Sequence, residues 1–375
     1  MKNSFVKTLS VCLCLVMLLP ICGCRNEETE AFWDEAKYVE ENKYLSATGF
    51  LDSVCYDGII YYCLSGYLYY AATDGSEAGP LCSKPECTHR SSMCGAHTNV
   101  ILKSHLMMYN GRLYWLEGTM EGYRLVSAEP GSGERRIEQK YDSRFWLSRF
   151  NCHTTIHANT LFLCGIEANV EDGQAGEAAF IYAQDLESGE IEHIFESDMD
   201  EFGAGCIMKR NGNSIYLALI LCDGVRIVEL DLDTREVTEE RFTDADSTYI
   251  DMTVEDDRFV FRKEFSLLSI DRATGKKTEL FRGMPFCAND EAVLCYKDMT
   301  RFECYDYDHN LIGEWCFEDA GLTFPESTKY PLGCVDGKLF FLAEPDTGDD
   351  PNIGYLISCV PEENRFEVVQ AIPRR

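Results

Sequence analysis

The run Cys82-Ser-Lys-Pro-Glu-Cys87-Thr-His89-Arg-Ser-Ser-Met-Cys94-Gly-Ala-His97 places three cysteines and a histidine within thirteen residues. Three thiolates and one imidazole form a Cys₃His set that suits tetrahedral zinc, and soft sulfur donors would also accept Fe(II) or Cu(I). If Cys82, Cys87, His89 and Cys94 fill all four positions, none is left for water or substrate. Such a centre would staple a loop and would not turn over a substrate. His97 is a fifth donor, either spare or a replacement for His89. The spacing Cys-x₄-Cys-x-His-x₄-Cys is not a familiar zinc-finger spacing. The alternative chemistry is a disulfide, Cys82–Cys94 or Cys87–Cys94, with the third thiol left over.

Other candidates are sparser. Asp346, Asp349 and Asp350, in the run Glu344-Pro-Asp346-Thr-Gly-Asp349-Asp350-Pro-Asn352, offer oxygen ligands for Ca²⁺, although acidic hairpin loops are usually only solvated. Asp306-x-Asp308-x-Asn310 begins like a calcium loop. Leu311 stands where that loop needs glycine and its twelfth position lacks Glu, so this segment reads as a strand-end turn. His153 and His157 point to one side of a strand, either lining a channel or serving as buried structural histidines. No G-x-S-x-G, H-E-x-x-H, P-loop or G-x-G-x-x-G is present, so no catalytic residue is nominated.

The elements that must position these side chains repeat. From about Gly49 onward, helical periodicity is almost absent, and short aromatic and β-branched runs are punctuated by tight turns. The first turn of each unit is Asp57-Gly58, Asn110-Gly111, Ala158-Asn159, Asn211-Gly212, Asp256-Asp257, Asn289-Asp290 or Asp336-Gly337. Six of these seven are built from turn formers that accept positive φ. An apolar strand follows each, from IIYYCL to KLFFLA. The second turns are best seen in IYAQDLESGEIEHIF, IVELDLDTREVTEERF and LLSIDRATGKKTELF, where Asp is followed by Ser or Thr before the turn closes.

Seven such units of four strands predict an all-β fold, a β-propeller with seven four-stranded blades. A lone meander cannot bury both faces, whereas radial stacking buries each sheet between two neighbours. The units are spaced 33 to 53 residues apart, which leaves six blades plus a hairpin, or an irregular sandwich, as alternatives. Cys55, Cys287 and Cys334 each precede the first turn by two residues, and Cys63, Cys164 and Cys295 recur in the strand after it. Such regularity predicts small core hydrophobes, mainly reduced, over cross-strand disulfides. A two-residue turn at Asp57-Gly58 would pair Cys55 with Ile60 and send Cys63 to the other face. Tyr61, Tyr62, Tyr67, Tyr69, Tyr70, Tyr114 and Trp115 read mostly as inter-blade core, and any that are exposed could stack on sugar rings or peptide side chains.

The N-terminus reads as an address. Met1-Lys2 and Lys7 precede an apolar run from Thr8 to Ile21, too short for the roughly 20 residues of a membrane span and typical of a signal peptide. Leu19-Pro-Ile-Cys22-Gly23-Cys24 resembles the bacterial lipobox, in which a small residue precedes a cysteine that receives diacylglycerol. That resemblance implies residues 1–23 as signal peptide and Cys24 as the lipidated N-terminus. An ordinary secreted protein or an uncleaved anchor is the alternative. Acyl chains contribute about 0.8 kcal/mol of membrane affinity per buried CH₂. Residues 24–45 would form a tether with a short helix within Ala31 to Tyr44, packed as a plug or spacer, and 46–375 the propeller.

The 375 residues hold 34 basic and 64 acidic side chains, a formal charge of −30. This excludes nucleic acid, or anionic lipid, as a partner met through a broad positive surface. With 45% hydrophobic and 12% aromatic residues the chain is not disordered.

The run PLCSKPECTHRSSMCGAH lies after YDGIIYY and before NGRLYWLEG. In this it resembles a group of uncharacterised β-propeller lipoproteins of Gram-positive anaerobic bacteria, in which Leu-Cys-x-Lys-Pro-x-Cys-x-His and a further Cys follow the first Tyr-rich repeat. The resemblance covers nearly the whole chain. It implies the propeller fold and a surface location, and brings no activity. The leading expectation is a lipid-anchored extracytoplasmic propeller that binds a protein, peptide or glycan at the cell membrane, with zinc as a structural cofactor. The competing expectations are an extracellular glycan lyase or hydrolase, and an accessory subunit of a membrane transporter or sensor complex.

Overall fold

Local turn chemistry builds the repeating unit. At Asp57-Gly58, Asn110-Gly111, Ala158-Asn159 and Asp336-Gly337 both turn residues take positive φ, between 43° and 73°. This is the primed geometry whose twist matches two antiparallel strands. Ala158, the weakest turn former of the set, takes it nonetheless, and the Asn159 N–H donates to Tyr109 Oη of the preceding unit at 2.8 Å. Asn289 turns differently. Its Oδ1 accepts the N–H groups of Glu291 and Ala292, at 3.0 and 2.7 Å, so that turn needs no positive φ. The second turn closes on an aspartate: Asp185, Asp231 and Asp271 each accept the N–H and hydroxyl of the Ser or Thr three residues on, at 2.6–2.9 Å. The residue after that Ser or Thr takes positive φ, as Gly189, Arg235 or Gly275. Asp306 closes its turn in the same way, accepting from Asp308 and Asn310.

The computed structural model describes residues 33–45, 53–64, 66–84, 86–87, 89, 93–98, 106–119, 122–131, 133–142, 152–171, 174–197, 202–243, 249–298, 300–322, 327–345 and 352–373. Cys24, the signal sequence and the Asp346, Asp349 and Asp350 loop lie outside them. The chain divides into Met1–Asp34 and Glu35–Arg375, and the second unit is a seven-bladed β-propeller. Its blades span 53–80, 107–142, 152–196, 202–243, 249–282, 285–316 and 327–373, each an antiparallel meander whose strand order follows the chain. First strands of most neighbouring blades touch one another, which places them innermost. Among the described residues no helix is long and apolar enough to cross a membrane.

Stacking explains why alternation fails in mid-blade. Ser214–Leu221 (SIYLALIL) is buried on both faces, because a sheet packs on each side of it. The fourth strand Lys277–Arg282 (KTELFR), at the rim, exposes Thr278, Glu279 and Arg282 and buries only Phe281. Phe302, completely buried, packs among Phe286, Phe317, Phe341 and Phe366 between blades 6 and 7. The ring closes without a shared strand. Cys55, Ile60 and Tyr62 of blade 1 pack on Leu332, Phe340, Leu356 and Ile372 of blade 7.

The segment before blade 1 enters the ring. Glu35–Asn42 forms a helix, and Tyr44–Leu45 adds a fifth, inner strand to blade 7, paired with Cys334 and Gly333. Gly333 permits this approach. Its φ is +120°, and a Cβ there would lie 2.1 Å from Tyr44 O. The helix lies against the first turns of several blades. Lys37 Nζ pairs with Asp57 at 2.6 Å, Asn42 exchanges hydrogen bonds with the backbone of Cys55, and Glu35 pairs with Arg210 at 2.8 Å.

Candidate metal centre

The cysteine-histidine loop is held at both ends by one strand. After the fourth strand of blade 1, Ala78–Pro80, the Leu81 N–H donates to Leu68 O at 2.9 Å. The chain returns at Ala96, whose O accepts the Leu68 N–H at 2.8 Å, and at Thr98, whose N–H donates to Gly66 O at 2.8 Å. Leu81 and Ala96 are buried, so the loop is pinned to Tyr67–Ala72 at its two bases.

Between those bases the donors converge. The Sγ atoms of Cys82, Cys87 and Cys94 and a ring nitrogen of His89 all lie within 4.8 Å of one another. His89 Nδ1 is 3.2 Å from Cys94 Sγ, and His89 takes a left-handed backbone, φ 52°. With zinc–sulfur bonds of about 2.3 Å, tetrahedral sulfurs sit about 3.8 Å apart. The cluster is therefore within about 1 Å of closing on an ion. His97 is not among the four donors. Its backbone bridges to Tyr67 and its ring packs edge-on to the Tyr67 ring at 5.2 Å.

Backbone polarity around the sulfurs favours thiolate. The Ala96 N–H donates to Cys94 Sγ at 3.3 Å, and the N–H groups of Lys84 and Gly95 point at Cys82 Sγ. In both turns the N–H comes from the residue two past the cysteine. Burial pushes the Cys82 thiol up, but these N–H groups and the neighbouring thiols outweigh it and hold its pKa below the usual value. Cys94 is pushed up to about 11, by burial first, with the hydrogen-bonded neighbours Cys87 and Cys82 adding to it. Close thiols without a counter-charge ionise one at a time, and a divalent cation removes that conflict. Gly95 leaves room for the sulfur, since a Cβ there would stand 3.2 Å from Cys82 Sγ.

A buried ionic network abuts the loop. Arg135 Nη1 donates to His97 O, and its Nη2 donates to Glu117 Oε1 at 3.0 Å. Glu117, 1% exposed, also accepts from Arg124 Nε at 2.8 Å and Trp115 Nε1 at 3.0 Å, and the Arg135 guanidinium lies 4.9 Å over the Trp115 ring. Burial pushes the Glu117 pKa up, but the Trp115 hydrogen bond and the two arginines overcome it, so the net shift is downward. Sequence reasoning missed these residues. The available signal was Glu117 opposite Arg124 across a hairpin, a cross-strand pair of opposite charge.

The remaining candidates separate by role. His153 is 5% exposed, its Nε2 is 3.0 Å from Cys206 O, and burial lowers its pKa to about 4, as for a structural core histidine. His157 fastens the helix, with Nδ1 2.9 Å from Glu35 and Nε2 3.1 Å from Asp233. None of the fourteen cysteines whose side chains are described is in a disulfide. Cys55 pairs with Ile60 and is buried, while Cys63 faces the other side of that strand, as the turn predicts. Tyr61, Tyr62, Tyr69, Tyr114 and Trp115 are core, with Tyr67 and Tyr70 half-buried.

No protein-family model matches this chain, and no curated protein does. Among solved structures, a prolyl endopeptidase superposes with a TM-score of 0.53 at 10% identity, over 90% of this chain and 51% of that one. Apo AztD from Citrobacter koseri gives 0.48 at 8% identity, over 86% and 85% of the two chains. BamB from Moraxella catarrhalis gives 0.41 at 12%, over 86% and 88%. The chain spans about half the length of the endopeptidase, and at this identity that likeness shows the propeller fold alone.

Proposed function

We propose that this protein is a lipid-anchored, extracytoplasmic propeller that works by binding, as a recognition or scaffold module at the cell surface. In this reading Cys82, Cys87, His89 and Cys94 hold a structural zinc ion that staples the loop between blades 1 and 2. The observation that carries it is the convergence of those four donors at the edge of a blade. All four ligands come from protein, on a loop pinned to one strand, which suits a staple and leaves no coordination position for a substrate. The lipobox-like Gly23-Cys24 supports the anchor.

Metal analysis of protein purified without added metal tests the staple. About one equivalent of zinc is expected, and metal-free protein carrying a disulfide mass shift would overturn it. Replacing Cys24 by Ser tests the anchor: the variant is expected in the soluble extracytoplasmic fraction, and retention on the membrane would refute lipidation there. Pull-down of the lipidated protein from its native membrane tests the role. Recovery of one stoichiometric membrane partner would replace the free-standing module by a complex subunit.

A further inference from the structure

The helix Glu35–Asn42 meets blades 1, 3 and 4 through Asp57, His157 and Arg210. Between this helix and the inner strands of those blades, Ser53–Tyr56, Cys152–His157 and Phe202–Asn211, lies a half-open cavity of ≈ 90 Å³. Leu45, Val54, Leu106 and Met208, all buried, form its apolar wall. About 10–15 Å³ of such space holds one water, so the cavity takes a ligand of about six heavy atoms.

Two polar side chains of this cavity have donor capacity that no described residue takes up. Ser53 Oγ is buried and has no hydrogen-bond partner among the described residues. Lys209 is 8% exposed, and its ammonium group donates to a single acceptor among them, Leu45 O. An ammonium group carries three N–H donors, so the others stay unused. Charge balance points the same way. Arg210 is matched by Glu35 at 2.8 Å, and Arg262 by Asp251 at 3.9 Å. Lys209 has no carboxylate at ion-pair distance among the described residues, and Asp251 and Arg262 act on it through their fields, with opposite sign. Burial, opposed by Asp251, lowers its pKa, as for an ammonium group without a counter-ion. A buried cation that lacks its anion is costly, and a bound anion supplies charge and acceptors together.

We propose that this cavity binds a short-chain monocarboxylate of about six heavy atoms, its carboxylate on the Lys209 ammonium group and its alkyl tail against Leu45, Leu106 and Met208. One negative charge balances the one unmatched ammonium group, and the carboxylate oxygens accept from its unused donors. The apolar wall favours a hydrocarbon tail over a compact inorganic anion. A monoanion also meets less of the repulsion that a protein of charge −30 sets against polyanions. The N-terminal segment forms part of the site, because Leu45 supplies both a wall and the fixed acceptor that orients Lys209. This inference is independent of the zinc staple and the anchor, since no residue of either lines the cavity.

Isothermal titration of the purified full chain tests it with butanoate, butan-1-ol, which lacks the charge, butylammonium, which reverses it, and inorganic phosphate, which lacks the tail. Butanoate is expected to bind, with each other probe at least tenfold weaker. Lys209→Met keeps the reach of the side chain without its charge and should weaken butanoate at least tenfold. Val39→Phe, on the half-buried helix wall, adds bulk without touching a donor and should weaken butanoate as much in a chain whose melting is unchanged. That second variant decides the matter if Lys209→Met disturbs the docking of Leu45. Absence of butanoate binding at millimolar concentration, equal binding of any other probe, or undiminished binding by the Val39→Phe variant would overturn the proposal.

Discussion

Gly95→Ala offers a narrow test of the metal centre, because it changes one methyl group and no donor. Gly95 has no left-handed backbone to strain, and alanine keeps the N–H that points at Cys82 Sγ. The added Cβ, however, would stand 3.2 Å from that sulfur and 3.7 Å from the Cys82 Cα. Ordinary non-bonded contacts sit at about 3.5–4.0 Å, so the sulfur must retreat by about 0.3–0.8 Å. Metal–ligand distances tolerate about 0.2 Å, so the retreat is felt at the ion. Disturbances beside a metal ligand cost about 10–100-fold in affinity, or about 1.4–2.8 kcal/mol. Competition against a chromophoric chelator should show this loss, with about one equivalent still bound at saturation. Melting of the propeller should barely change, since the loop lies outside the blade cores. Affinity equal to that of the parent chain would refute Cys82 as a ligand. Loss of the propeller fold would show instead that Gly95 serves packing.

Other consequences follow from particular contacts. Glu117→Gln removes the charge that Arg124 and Arg135 share, and because both arginines are partly solvated the cost should sit near the lower end of the range for a broken buried pair, about 3 kcal/mol, read from urea unfolding; an unchanged midpoint would dismiss the network as a stabiliser. The folded pKa of Glu117 lies below its unfolded value near 4.5, so its contribution is present above that pH and is lost as pH falls through the folded pKa. Acid titration of stability should therefore be flatter in Glu117→Gln than in the parent below about pH 4.5; identical slopes would contradict the assignment. Phe302→Ala empties the centre of the blade 6–7 cluster and should cost about 3–5 kcal/mol in the same assay, against less than 1 if those blades were not stacked. Gly333→Ala should displace Tyr44–Leu45 and expose the N-terminal segment to limited proteolysis while the ring persists, and unaltered protection would contradict that docking.

What could be read before folding was what depends on near neighbours in the chain. The aspartate-centred turns close over three or four residues, and the primed turns need only two with the right φ, so the blades were visible as repeats. The four sulfur and nitrogen donors fall within thirteen residues, so their convergence was also foreseeable. His89 was the expected fourth donor with His97 as its possible replacement, and the loop's return along Tyr67–Ala72, which takes His97 to Tyr67, leaves His89 in the cluster. Likewise Arg135 meets His97 across 38 residues, and Gly333 admits Tyr44 across nearly the whole ring. The cause is steric and electrostatic. Composition states which groups want partners, but burial between stacked sheets decides which groups are brought within reach of one another. The amino-acid sequence by itself determined the strands, the turns and the donor set. Only the closed ring decided where a carboxylate, a guanidinium or a plugging helix came to rest.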